Sequence, residues 1–289
     1  MEQKPFQTDA YLPREMAQRV NEVGVTKAKM DFGSMLYLAI LAGSFIGLGA
    51  HFTTLASAGN GLPFSLNQLL SGLVFSLGLI LVIVAGAELF TGNNLIVMAW
   101  VSRKIRFRDV QRNWAIVFLG NTVGALITVL LIYFSGVWKL GGGSVGLRAI
   151  QIAAVKTDIT WLECFVRGIM CNAMVCLAVW LCFSCRTTVD KIMSIIFPIT
   201  AFVAMGFEHS VANLYFIPMG MLLSGLESDL VVTLTSQIQT LNFTGFMNNL
   251  VPVTLGNIVG GTLMVGMVYW FIYLRHLMPM AAKDGEKKN

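Results

Sequence analysis

The chain has 289 residues, 56% of them apolar and only 12% charged, about half the charged share of ordinary soluble domains. Its formal net charge of +5 sits in connecting segments rather than on a basic, aromatic-rich face, which argues against nucleic-acid binding. The composition, with 28 glycines, fits closely packed helices whose solvent is lipid.

Residues 1–30 are polar and mixed in charge, with no continuous apolar core, so no cleavable signal peptide is expected. They predict an amphipathic helix at the cytoplasmic mouth of the protein, serving as an interfacial anchor, a pore gate or a dock for a soluble partner. A transmembrane channel domain follows over 31–278, and a cytoplasmic tail over 279–289. Stretches long enough to cross a bilayer, about 20 apolar residues each, fall near 35–57, 67–102, 113–136, 163–185, 189–222 and 249–274. The second and fifth are too long for one straight crossing. Both are interrupted, at 86–94 and 206–213, and each predicts two half-helices joined by a loop at membrane depth.

The two interruptions share a pattern. Gly86-Ala87-Glu88 precedes Asn93, and Gly206-Phe207-Glu208 precedes Asn213, 120 positions later. Polar groups at this depth survive only when buried in protein or beside a watery cavity. Paired broken helices at matching places in two halves point to a transporter's substrate path. The halves echo again in the spans that follow, Leu119-Gly120-Asn121-Thr122-Val123-Gly124 against Leu255-Gly256-Asn257-Ile258-Val259-Gly260. Three spans per half place the second half upside down relative to the first, an inverted repeat. Asn121 and Asn257 read as structural, bonding across helices.

Sixteen of the twenty lysines and arginines fall in the N-terminal arm, the connections after spans two and four, and the tail. That bias puts both termini in the cytoplasm. The other side carries Lys139, Arg148 and Lys156, with Arg167 at the edge of span four. Cys164, Cys171, Cys176, Cys182 and Cys185 all lie in span four and read as small packing residues, since a zinc or redox site needs more ligands or another context. Residues 223–248 predict an outer loop, in which Asn242-Phe243-Thr244 is a glycosylation sequon only in a cell that glycosylates. Glu88 and Glu208 repel an anion rather than bind it. Their expected role, with Asn93 and Asn213, is structural, accepting hydrogen bonds from exposed loop N–H groups.

His209 is the only one of three histidines (His51, His209, His276) inside a helix break. Imidazole titrates near physiological pH, and an anion entering an apolar constriction faces a large desolvation cost. Hydrogen bonding to that anion, or protonating it, lowers the cost. Phe207-Glu208-His209-Ser210-Val211-Ala212-Asn213, followed by Ile217-Pro218-Met219-Gly220, closely resembles the signature of the formate/nitrite transporter family. So do Glu88-Leu89-Phe90-Thr91-Gly92, Asn172-Ala173-Met174-Val175-Cys176-Leu177-Ala178 and Pro252-Val253-Thr254-Leu255-Gly256-Asn257, and the likeness runs from about residue 12 to 275. The resemblance implies an all-α, aquaporin-like six-helix protomer, although no Asn-Pro-Ala motif occurs. It also implies a homopentamer in which each protomer has its own pore.

The same resemblance implies that Thr91 faces a central chamber with His209 and that Asn172 positions the histidine. It implies an outer apolar constriction of Phe75, Val175 and Phe202 and an inner one of Leu79, Leu89 and Phe90. Such rings exclude hydrated ions and favour a small or neutralised solute. Lys156 is either an attractor of anions into the outer vestibule or an interfacial lysine with no role. The function read from these residues is a passive or proton-coupled channel for small monovalent weak-acid anions, formate first. The partners are the anion, protons and the lipid bilayer of an inner membrane. The ending Tyr269-Trp270-Phe271-Ile272-Tyr273-Leu274-Arg275 resembles the formate branch, whereas Glu88-Leu89-Phe90-Thr91-Gly92 leans toward the nitrite branch. A hydrosulfide channel, a neutral-solute pore and a membrane enzyme using Glu208-His209 are the alternatives. No metal-ligand set, nucleophile motif or cofactor fingerprint accompanies that last pair, so no enzyme, metal or cofactor is expected.

Overall fold

The computed structural model describes residues 9–226 and 238–277, which contain helices and connections and no strand. The tail expected at 279–289, and part of the loop expected at 223–248, lie outside the described residues. Helix α1 (Pro13–Lys29) opens on a proline whose missing N–H costs nothing there. It buries Met16, Ala17, Val20 and Gly24 and leaves Glu15 and Lys29 exposed. Asp31 caps α2 (Phe32–Ser57), its carboxylate accepting from the Ser34 N–H at 2.9 Å, and that bond holds the carboxyl below its usual range. Then come α3 (Phe64–Ala85), the short α4 (Gly92–Val101) and α5 (Phe107–Ser135).

The second half repeats the order. Helix α6 (Ser144–Thr157) stands where α1 stood, α7 (Trp161–Cys182) corresponds to α2, and α8 (Thr188–Ala204) and α9 (Ser210–Leu226) form the second broken pair. The last helix, α10 (Phe243–Tyr273), widens to π geometry over Gly260–Met267. Among the described residues the helices make six spans, four of them single helices and two broken. The first break is unequal: α3 has 22 residues, about 33 Å of helix, against the ten-residue α4, whereas α8 and α9 have 17 each. Both breaks turn on a left-handed glycine, Gly86 at φ 82° and Gly206 at φ 71°, a conformation that costs other residues about 1–2 kcal/mol.

Ser76 donates to the Ile196 carbonyl while Gly72 lies against Thr200, so α3 and α8 run antiparallel. Helix α2 packs parallel to α5 and α7 parallel to α10. The repeated glycines explain these pairs. A Cβ at Gly124 would collide with the Ile40 carbonyl, and one at Gly260 with the Ile169 carbonyl. Close backbone approach of this kind supplies packing where no hydrophobic force separates helix from lipid.

Candidate pore and its central pair

Each break is held by the same cradle, built twice. Lys27, at the end of α1, donates to Glu88 Oε1 at 2.7 Å, and Lys156, at the end of α6, donates to Glu208 Oε1 at 2.7 Å. Asn93 and Asn213 each donate to the second carboxylate oxygen of the glutamate in their own loop, both at 2.7 Å. They donate in turn to Asn113 and Asn249, whose amides return to the Lys27 and Lys156 carbonyls. Asn121 accepts from the Phe90 N–H and donates to the Glu88 carbonyl; Asn257 accepts from the Ser210 N–H and donates to the Glu208 carbonyl. Loop N–H and C=O groups that would otherwise be orphaned in an apolar interior are thereby paired.

The cradle departs from the expected role of the glutamates. Lysine and asparagine side chains, not loop N–H groups, bind their carboxylates. The two copies also differ. Lys27 reaches a second acceptor, Asn93 Oδ1 at 2.8 Å, whereas Asn213 Oδ1 is buried without a partner.

Between the loops, Thr91 Oγ1 and His209 Nε2 lie 2.9 Å apart, both residues buried. His209 caps α9: its Nδ1 accepts from the Ala212 N–H at 3.1 Å. An accepting Nδ1 assigns the ring proton to Nε2, so the neutral imidazole donates to Thr91 and frees the threonine hydrogen to donate elsewhere. The Phe202 ring tilts over the imidazole at 6.0 Å. Asn172 makes no bond to His209. Its amide donates to the Asn257 carbonyl at 2.6 Å and to Asn94 Oδ1 at 2.9 Å, and lies 3.3 Å from the Thr91 carbonyl. Its bonds reach the Thr91 carbonyl on one side and, on the other, the Asn257 carbonyl, and the Asn257 side chain in turn holds Glu208 and Ser210, the two neighbours of His209.

Two cavities approach this pair from opposite faces. The first, about 370 Å³, is lined by Arg19, Lys27, Leu79, Val82, Glu88, Leu89 and Lys191 among others, and both described chain ends lie on its face. The second, about 220 Å³, is lined by Phe75, Arg148, Lys156, Arg167, Phe202, Glu208 and His209 among others. Leu79 lines one and Phe75 the other. They are four residues apart on α3, so the seam between the cavities is about 6 Å thick along that helix. Phe75 and Phe202 meet edge to face on the second cavity's side of it, ring centroids 5.7 Å apart.

Residues 14–271 match the formate/nitrite transporter family. The chain belongs to this family. It is 44% identical over 279 residues to the formate channel FocA of Escherichia coli K12, covering 94% of this chain and 96% of that one. It is 39% identical over 282 residues to the formate channel FocA of Haemophilus influenzae, covering 95% and 99%. A solved pentameric formate channel with formate bound superposes at a TM-score of 0.78 with 43% identity, covering 84% of this chain and 98% of that one. Family and relatives are transporters and channels, not enzymes, and the chain is a multi-pass membrane protein.

In this formate/nitrite transporter the residues singled out from sequence fall into three groups. Thr91 and His209 meet; Phe75, Phe202, Leu79 and Leu89 line the cavities on the two sides of the seam. Glu88, Glu208, Asn93, Asn213 and Lys156 form the cradles. Phe90 and Val175, like Thr91 and Asn172, line neither cavity. The Phe90 ring packs on Phe118 and Trp114 of α5, at 5.0 and 6.3 Å. Val175 is buried in α7. Lys27, Asn113, Asn249 and Asn94 carry the network without having been singled out. A signal for two of them exists, since Asn113 and Asn249 each lie eight residues before the asparagines of the repeated motif.

Proposed function

We propose that this protein is a channel for small monovalent weak-acid anions, formate first, whose path joins the two cavities past Thr91 and His209. The observation that carries this reading is the His209–Thr91 bond, which links a residue lining the second cavity to the loop that lines the first. Likeness to proteins named as formate channels supports the substrate and a homopentamer of independent pores. The positive-inside bias supports an inner-membrane orientation with both termini and the first cavity facing the cytoplasm.

Beyond the cradle lysines, whose charge Glu88 and Glu208 offset, each vestibule offers cations to an arriving anion, Arg19 and Lys191 on one side, Arg148 and Arg167 on the other. Leu79 and Leu89 on one side of the seam, with Phe75 and Phe202 on the other, offer no polar group to replace a hydration shell. Two donors compensate there, the Thr91 hydroxyl and the His209 Nε2–H, with Asn172 holding the threonine in place. Donation to the anion lowers its desolvation cost; removing the charge altogether takes a proton from solution, which the imidazole first gains as a second ring proton and then passes to the anion, returning to its neutral form.

The test is formate and nitrite flux into proteoliposomes while external pH is stepped from about 5 to 8, across the ordinary imidazole range. His209→Phe is expected to assemble normally and to lose pH-dependent anion passage. Normal formate flux in that variant refutes the mechanism. Dominant nitrite flux in the wild type moves the substrate and leaves the path intact.

A further inference from the structure

Away from the pore, the end of α1 and the turn between α4 and α5 enclose a cleft of about 410 Å³. Its walls carry Lys29, Arg103, Lys104 and Arg106, with Ile105 at its buried floor and Asp109 as the only acid. Asp109 is already engaged, accepting from the Arg106 N–H at 2.8 Å and lying 3.8 Å from the Arg106 Nε. The side chains of Lys29, Arg103 and Lys104 have no hydrogen-bond or ion-pair partner among the described residues. An uncompensated cationic concavity attracts a multivalent anion.

Two further observations narrow the ligand. Arg103 is the only non-glycine residue with positive φ, 60°, among the described residues. Glycine would hold that turn without strain, so an arginine there is retained at a conformational cost. An aromatic pair brackets the cleft's Arg103–Arg106 turn in the chain. Trp100 and Phe107 lie with ring centroids 5.0 Å apart, and Phe107 is 44% exposed at the start of the long apolar helix α5. Aromatic rings of this kind sit at headgroup depth. Cations placed there meet phosphate with an acyl chain attached.

We propose that this cleft binds the phosphate headgroup of an acidic glycerophospholipid. Lys29 approaches the headgroup from α1, Arg103 and Lys104 from the α4–α5 turn, and the Trp100–Phe107 pair borders the acyl chains. Bound there, the lipid ties α1, whose Lys27 is bonded to Glu88, to the end of the first broken span.

The test is native mass spectrometry of the purified full-length protein titrated with phosphatidylglycerol or phosphatidylcholine, in wild type, Arg103→Gln/Lys104→Gln, Lys29→Gln and Arg108→Gln. Arg108 is exposed in the first turn of α5 but does not line the cleft. Preference for phosphatidylglycerol is expected in the wild type. It should weaken on the order of 30-fold in the double variant and about 5-fold in Lys29→Gln, with little change in Arg108→Gln. Equal loss in Arg108→Gln means diffuse attraction and overturns the site. No lipid preference in the wild type overturns it as well. Complete displacement by millimolar inorganic phosphate shows free phosphate, not a lipid, to be the ligand.

Discussion

The Lys156–Glu208 pair gives a quantitative test of the second cradle. The charges are 2.7 Å apart, with side-chain exposures of 15% and 5%, and at an effective dielectric of about 20 their attraction is about 6 kcal/mol before desolvation. Most of that gain offsets the loss of water, so the pair's net worth is smaller than the damage done by breaking it. Lys156→Met strands the carboxylate, which keeps only the Asn213 and Asn249 amides at 2.7 and 3.2 Å. The expected cost is about 3 kcal/mol, the lower end for an uncompensated buried charge. Glu208→Gln strands the ammonium, which lines the second cavity and can swing into it, so about 1–2 kcal/mol is expected. The double variant carries no stranded charge and should cost less than the two singles together by about 2 kcal/mol. Unfolding midpoints in mixed dodecyl-maltoside and SDS micelles measure all four proteins. Strict additivity, or a glutamate variant weaker than the lysine variant, refutes the pairing argument.

Thr91→Val leaves the His209 Nε2–H buried without its acceptor and removes one of the two seam donors. Formate flux should fall at least tenfold, the effect of about 1.4 kcal/mol, while Thr91→Ser keeps it near wild type, as read by stopped-flow in proteoliposomes. Asn257→Leu removes the Ser210, Gly168 and Glu208 backbone partners at once and should cost about 3 kcal/mol or more, seen as aggregated protein in place of the wild-type peak on size exclusion. Gly206→Ala forces a Cβ into φ 71° in otherwise open space, so a lowered melting temperature equivalent to about 1 kcal/mol is expected with flux retained.

The breaks were legible because carboxylates and asparagines in an apolar run have no other use. The same logic placed the six spans, and the repeated Leu-Gly-Asn motif revealed the inversion. What binds the glutamates was not legible. Lys27 and Lys156 lie on α1 and α6, helices that precede each half and are too short or too polar to register as spans. Nothing in local sequence ties Lys27 to Glu88, 61 positions away; the pairing exists only because α1 folds back against the break. The packing of Phe90 was not legible for a related reason. Its own N–H is fixed by Asn121 of α5, which turns the ring onto Phe118 and Trp114 of that helix.

The inverted repeat separates scaffold from chemistry. Every cradle position is occupied by the same residue in both halves: Lys27 and Lys156, Glu88 and Glu208, Asn93 and Asn213, Asn113 and Asn249, Asn121 and Asn257. The central pair and its support are the reverse. His209 lies opposite Leu89 in the repeat, Thr91 opposite Val211, and Asn172 opposite Gly43. Symmetric cradles set two loops against each other at the same depth, which requires identical bonding in both. A donor pair at the seam cannot be symmetric, because Thr91 and His209 occupy the space where the two loops meet and only one copy fits. Leu89, the counterpart of the histidine, instead lines the first cavity as an apolar wall. One polar side chain per loop, drawn from non-equivalent positions, gives a single hydrogen-bonding station between two apolar approaches. On the proposed path, an anion would meet that one station between the two cavities.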